Sequence, residues 1–286
     1  MRALALLAVL LAAAVPWTQG RIDARLGTHR AQEEVLYLWS GDQVRRLAPG
    51  FEDLMADVYW LRTVQYFGGQ RVYAVNKRFD LLLPLVNITV TLDPRTQIAY
   101  RYGATFLAEA YPIGAGQPEA AVKLLERGVR SLPHDWRLRQ DLGLFHYYFL
   151  NDPQRASQIL LEAAEIPGAP PFLATLAAQV LMKGGDRETS RQVWRRIYEQ
   201  GEGPMKNNAA IHLAQLDALD ALDSLNEAIL AYERRTGVRP AVLDEIRRAG
   251  YRGPLVDPVG VPFAYDRSER RATLAQSSSL WRPNLK

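Results

Sequence analysis

The sequence predicts an all-α fold: a solenoid of stacked helix hairpins, with an N-terminal membrane helix or signal and a small C-terminal α+β cap. Three observations predict it. Apolar residues recur at helical spacing from Phe51 to about Thr236. Small and large residues recur within that stretch at a beat of 34 to 35 residues. Residues 222–266 then change character, to short segments punctuated by Pro and Gly.

Composition sets the bounds. With 286 residues, 48% of them hydrophobic and 23% charged, the chain can bury a sizeable core and is not compositionally disordered. The absence of cysteine excludes disulfides, thiolate metal sites, a cysteine nucleophile and a lipidated cysteine. The net charge is +4 and the pI about 9.3. Only five lysines occur (Lys77, Lys123, Lys183, Lys206, Lys286), and the arginines are interleaved with acids along the chain. Nucleic-acid binding calls for a dense basic stripe with interleaved aromatics, so no nucleic-acid partner is expected.

Met1-Arg2 leads an unbroken apolar run from Ala3 to Val15, closed by Pro16-Trp17. A positive start and a run of this length fit a secretory signal, and Ala12-Ala13-Ala14 offers small residues for cleavage. Extended to Trp17, the run also reaches the lower limit for a membrane anchor with an interfacial aromatic. Residues 1–17 are therefore expected to be a signal or an anchor, and either places the rest of the chain outside the cytoplasm. In residues 18–50, Val35 to Trp39 is rich in strand formers, Ser40-Gly41-Asp42 reads as a turn and Val44 to Leu47 as a returning strand. A linker with a short β-hairpin is the expectation there.

The helical stretch, 51–221, divides into hairpins. Ala121, Ala156 and Ser190 are small. Leu125, Leu160 and Trp194 follow four residues later and are large, and Gly128, Ala163 and Ile197 follow three after that. Pro133 and Pro167 keep the same step, while Gly103 and Gly143 lie in the preceding helices. Repeats are expected at 97–133, 137–167 and 172–202. A divergent unit at 51–94 precedes them, with helices Phe51 to Phe67 and Lys77 to Thr91. A final pair follows, Asn207 to Ala221 and Asp223 to Thr236. This pattern resembles the tetratricopeptide repeat family, although that family's early tryptophan and tyrosine positions are not all filled. In such repeats small residues let antiparallel helices approach closely, large residues fill the gap to the next hairpin, and proline ends the second helix. A non-repeating helical bundle is the alternative fold.

The C-terminal segment, 222–286, contains Leu225, Ile229 and Tyr232 on a helix and then a short helix from Ala241 to Ala249. Gly250-Tyr251 follows, and then Asp257-Pro258-Val259-Gly260-Val261-Pro262-Phe263-Ala264-Tyr265. It resembles the C-terminal part of type II secretion pseudopilins, without their N-terminal helix or most of their sheet. The resemblance implies a capping module in which Phe263-Ala264-Tyr265 pairs with Ala272-Thr273-Leu274, and a setting in a pilus or secretion apparatus. Asp257 and Asp266 are possible calcium ligands, too few for a site that needs six or more oxygens. The tail beyond Ser277 is expected to be loose.

No catalytic signature appears. His29, His134, His146 and His212 are isolated, and no nucleophile elbow, P-loop or dinucleotide fingerprint is present. No metal or cofactor is expected. The resemblance to tetratricopeptide repeats instead implies docking on the first helix of each hairpin. Aligned on Gly103 and Gly143, the inward positions are Gln97, Tyr100 and Leu107, then Arg137, Gln140, Tyr147 and Tyr148, then Thr175, Gln179 and Met182. Aromatic anchors beside amide and guanidinium donors suit an extended peptide or another envelope protein. The expected function is a non-enzymatic scaffold on the periplasmic side of the inner membrane that assists assembly of an envelope complex. A constitutive subunit of a membrane complex is the rival reading, and an envelope hydrolase or ligand-binding protein the third.

Overall fold

The structure, a computed structural model, describes residues 40–283. The N-terminal apolar run and the proposed strand at Val35 to Trp39 lie outside the described residues. No helix among those described is long and apolar enough to cross a membrane. The described chain is all-α apart from two three-residue strands. It divides into two compact units, up to Leu124 and from Leu125 onward.

The first unit opens with α1 (Gly41–Leu47), where a returning strand was expected. The correction has a local cause. Ser40 and Gln43 form a capping box: the Gln43 amide donates to Ser40 Oγ at 3.3 Å, and the Ser40 amide donates to Gln43 Oε1 at 2.8 Å. Ser-x-x-Gln satisfies two helix-start donors at once, and that signature outweighs the strand propensity of Val44. Helix α2 (Glu52–Val72) runs five residues past the expected end at Phe67, and α3 (Leu82–Leu92) begins five residues later than expected. α3 is buried nearly all round, and Val44, Ala56, Tyr59, Leu85, Ile88 and Leu92 form one cluster with it at the centre. Helix α4 (Gln97–Ala108) packs on α3 through Gly103. A Cβ there would lie 2.9 Å from Val86 Cγ1, so glycine is what permits the approach. Phe106 of α4 stacks on Phe67 at 4.0 Å and lies parallel to Trp60 at 6.2 Å.

Helix α5 (Pro118–Ser131), which starts on the proline expected at a first helical turn, crosses the boundary between the units. The second unit continues with α6 (Trp136–Tyr148), α7 (Pro153–Ala164), α8 (Phe172–Lys183) and α9 (Arg187–Gln200), and from α6 onward each packs on the helix that follows it. Aspartates cap three of these starts. Asp135 accepts from the Arg137 amide at 3.0 Å, Asp152 from Arg155 at 2.9 Å and Asp186 from Thr189 at 3.1 Å. All nine recurring positions read from the sequence, 121, 125, 128, 156, 160, 163, 190, 194 and 197, are buried. A Cβ on Gly143 would lie 2.9 Å from Leu160 Cγ and 3.1 Å from the Ala156 carbonyl oxygen. Ser190 donates to the Ala178 carbonyl at 2.9 Å across α8 and α9.

The expected final pair is one helix, α10 (Gly203–Thr236), ended by Gly237 at φ 70°. No glycine or proline interrupts 205–236, so nothing breaks it at 222. Its first half packs on α8 and α9 with Ala209 and Leu216, and its second half carries the C-terminal module on Leu222, Leu225 and Ile229. The cap adds α11 (Leu243–Arg248) and the expected hairpin, whose strands β1 (Ala264–Asp266) and β2 (Arg271–Thr273) each lie one residue from the positions expected and pair Tyr265 to Ala272. Asn226 grips β2 at both ends of one residue: it donates to the Ala272 carbonyl at 3.1 Å and accepts its amide at 2.7 Å. The tail is not loose. Leu280 is 2% exposed, and Gln215 of α10 donates to its carbonyl at 2.9 Å.

Candidate partner-docking face

The expected docking residues separate into two groups. In the first unit Gln97 is half-buried, but Tyr100 and Leu107 are both 0% exposed. These two are core residues, not partner contacts. They lie three and four residues either side of Gly103, so they share the face that crosses α3, and a glycine chosen for close approach brings its neighbours with it. The exposed large apolar side chains of α4 are Ile98 and Tyr102, at 47% and 54% exposure.

In the second unit α6, α7 and α8 share one apolar cluster. Tyr147 and Trp136 of α6 pack against the cluster that contains Leu173, Ala177 and Val180 of α8. Gln179 of α8 sits 3.5 Å from the His212 Nε2 of α10. Along this strip Gln140, Tyr147, Thr175, Gln179, Met182 and His212 are all half-buried. Arg137 and Tyr148 stand exposed, with Arg137 over the Trp136 ring at 4.4 Å. Of the adjacent tyrosines, Tyr147 is the packed one and Tyr148, 71% exposed, projects outward, their rings meeting edge to face at 4.9 Å.

His212 was not singled out from the sequence. It stacks on the fully buried Trp194 at 4.2 Å, and its Nδ1 has no hydrogen-bond partner among the described residues. Burial disfavours the imidazolium and holds its pKa below the ordinary value, against the smaller opposing influence of the nearby Gln215 carboxamide. His146 is shifted the same way by burial, against the opposing charge of Asp152 at 4.0 Å. A sequence signal was available for His212: it lies on the helix expected at Asn207 to Ala221, which was not aligned with the others.

Among the described residues no three histidines or acids gather as a metal site requires. Asp257 is engaged within its own loop, accepting the Val259 and Val261 amides at 3.0 and 2.8 Å and the Ser278 hydroxyl. Asp266 accepts from the Ser268 and Glu269 amides at 2.8 and 3.1 Å. Both carboxylates serve as turn staples. The arginine cluster on α9 is likewise internal: Arg187 pairs with Asp220 and Asp223, and Arg191 with Asp217 and Asp220, all on α10. No protein-family model matches the chain, and no curated protein and no solved structure matches it.

Proposed function

We propose that the chain is a tetratricopeptide-like scaffold that holds another polypeptide on the first helices of its second unit. The observation that carries this reading is the strip formed by α6, α8 and α10, where half-exposed amides, a methionine and aromatic rings follow one another from helix to helix. Side chains of this kind keep donors and apolar area open to an extended ligand while their stems are fixed by packing. Buried small residues at the helix crossings and sequential packing support the repeat character. The envelope setting rests on the apolar N-terminus and on the cap's resemblance to pseudopilin C-termini, whose expected strand pairing is present. The reading is of a docking protein without catalysis of its own.

Photo-crosslinking in intact cells tests it. A photoreactive residue at Gln140 or Gln179 is expected to give a discrete adduct, and one at exposed Arg195 on α9 none. Adding Arg137→Ala and Tyr148→Ala should weaken the adduct without altering the melting temperature, because both side chains are exposed. Equal labelling from all three positions, or none from the strip, overturns the proposal.

A further inference from the structure

Helix α2 has two apolar faces. One is buried through Ala56, Tyr59, Thr63 and Phe67. The opposite face bears Phe51, Leu54, Val58 and Leu61, exposed by 63%, 58%, 38% and 57%, and continues to Val72 at 67%. A helix apolar on both sides is normally covered on both. The exposed positions step 51, 54, 58, 61, 65, 68 and 72, alternating three and four, which is the heptad spacing of a seam between two helices. This row carries several hundred Å² of apolar surface, in the range that marks an interaction site on a monomer.

Two details identify what covers it. Gly68 lies within the seam, four residues before the helix ends at Val72, where glycine is unfavourable by up to about 1 kcal/mol relative to alanine, and nothing stands within 4 Å of where its Cβ would be. Its own chain gives no reason for glycine there; close approach of another helix does. The charges are also divided along α2. Glu52, Asp53 and Asp57 precede Tyr59, and Arg62 and Arg71 follow it. An antiparallel copy of α2 meets both conditions. Leu61 then faces Gln65 of the second copy, Val58 faces its Gly68 and Leu54 its Val72. Asp57 comes beside Arg71 of the second copy, a side chain that keeps 45% exposure although it is paired with Glu109 at 3.1 Å. A parallel copy would set acid against acid.

We propose that the chain self-associates as a two-fold symmetric dimer through α2, seam to seam and antiparallel. A two-fold interface uses one patch twice, which the heptad row and the divided charge permit.

The chain has no cysteine, so single cysteines report the contact cleanly. In an antiparallel pair centred between 61 and 65, the two copies of residue 65 are about 6 Å apart along the axis and the two copies of residue 54 about 27 Å. The full chain in mild detergent is treated with a short bis-maleimide. Gln65→Cys is expected to give a covalent dimer and Leu54→Cys none. Val58→Glu, at an exposed site, is expected to abolish the Gln65→Cys product, weaken association roughly 100-fold or more and halve the mass seen by light scattering, with unchanged helical circular dichroism. Leu61→Ser serves the same purpose should the glutamate variant not fold. A monomeric mass at every concentration overturns the proposal, as does equal crosslinking at 54 and 65. So does a photoreactive residue at Leu61 that labels only residues 1–39 of its own chain. Failure of Gln65→Cys to crosslink, with Val58→Glu releasing the chain from neutral phospholipid vesicles, would assign the face to lipid instead.

Discussion

Replacing Gly143 by alanine isolates the physics of the helix crossings. In an ordinary helix interior the change stabilises by about 0.5–1 kcal/mol, because glycine has more freedom to lose. At the α6–α7 crossing the new methyl would lie 2.9 Å from Leu160 Cγ and 3.1 Å from the Ala156 carbonyl oxygen. Neither can give way cheaply: one is the branch point of a side chain with 0% exposure, and the other is helix backbone. Relieving the contact means separating the helices, and overpacking of this kind costs about 1–3 kcal/mol. The net loss is about 1–2 kcal/mol, a fall in melting temperature of roughly 3–6 °C for a chain of this size. Gly68→Ala is the control, since nothing within 4 Å opposes its methyl. Made in the Val58→Glu background, where the second copy is absent, it should raise the melting temperature by roughly 1–3 °C. Calorimetry reads both. A Gly143→Ala protein that melts at or above the parent would refute the claim that glycine is there to let the helices approach.

Other expectations are equally direct. His212 is disfavoured as imidazolium in the folded chain, whereas the unfolded chain takes up the proton near pH 6.5. Protonation therefore favours unfolding, and stability is full above about pH 6.5 and declines as pH falls below it. Because water screens a part-buried ring, the loss should not exceed about 1 kcal/mol, and His212→Gln should flatten the pH dependence of urea unfolding between pH 7.5 and 5.5. Ser190→Val inserts a bulkier side chain where the hydroxyl bonds the Ala178 carbonyl in a 0%-exposed site, and should destabilise by about 2–3 kcal/mol in urea titration. Asp257→Ala removes the acceptor of two loop amides and of Ser278. It should free the tail, seen as proteolytic trimming after Ala275 at protease levels that leave the parent whole.

The core was legible in the sequence because its signal is periodic. Ala156, Leu160 and Ala163 recur on the beat of their neighbours, and periodicity reports burial directly. The first strand of the cap was legible because Pro258, Gly260 and Pro262 fix where it begins. Direction on a helix was harder to read. Tyr100 and Leu107 were placed on a free face by analogy between hairpins, although their spacing from Gly103 already put them on the packed one. Local chemistry misled at Ser40, where a side chain that can open a turn or cap a helix did the second. The continuity of α10 and the burial of the tail depend on contacts 65 residues apart, between Gln215 and Leu280, and no window of sequence holds both ends.

That last contact bears on how the chain matures. Helices α7 to α9 rest on neighbours already made by the time each emerges during synthesis. Residues Leu222, Leu225 and Ile229 must wait for Phe263, Ala272, Leu274 and Leu280 before their apolar sides are covered. The second half of α10 is thus clasped by residues made roughly 40 to 60 positions later, and a nascent chain that has not reached them would display that bare strip to whatever chaperone or protease surveys it.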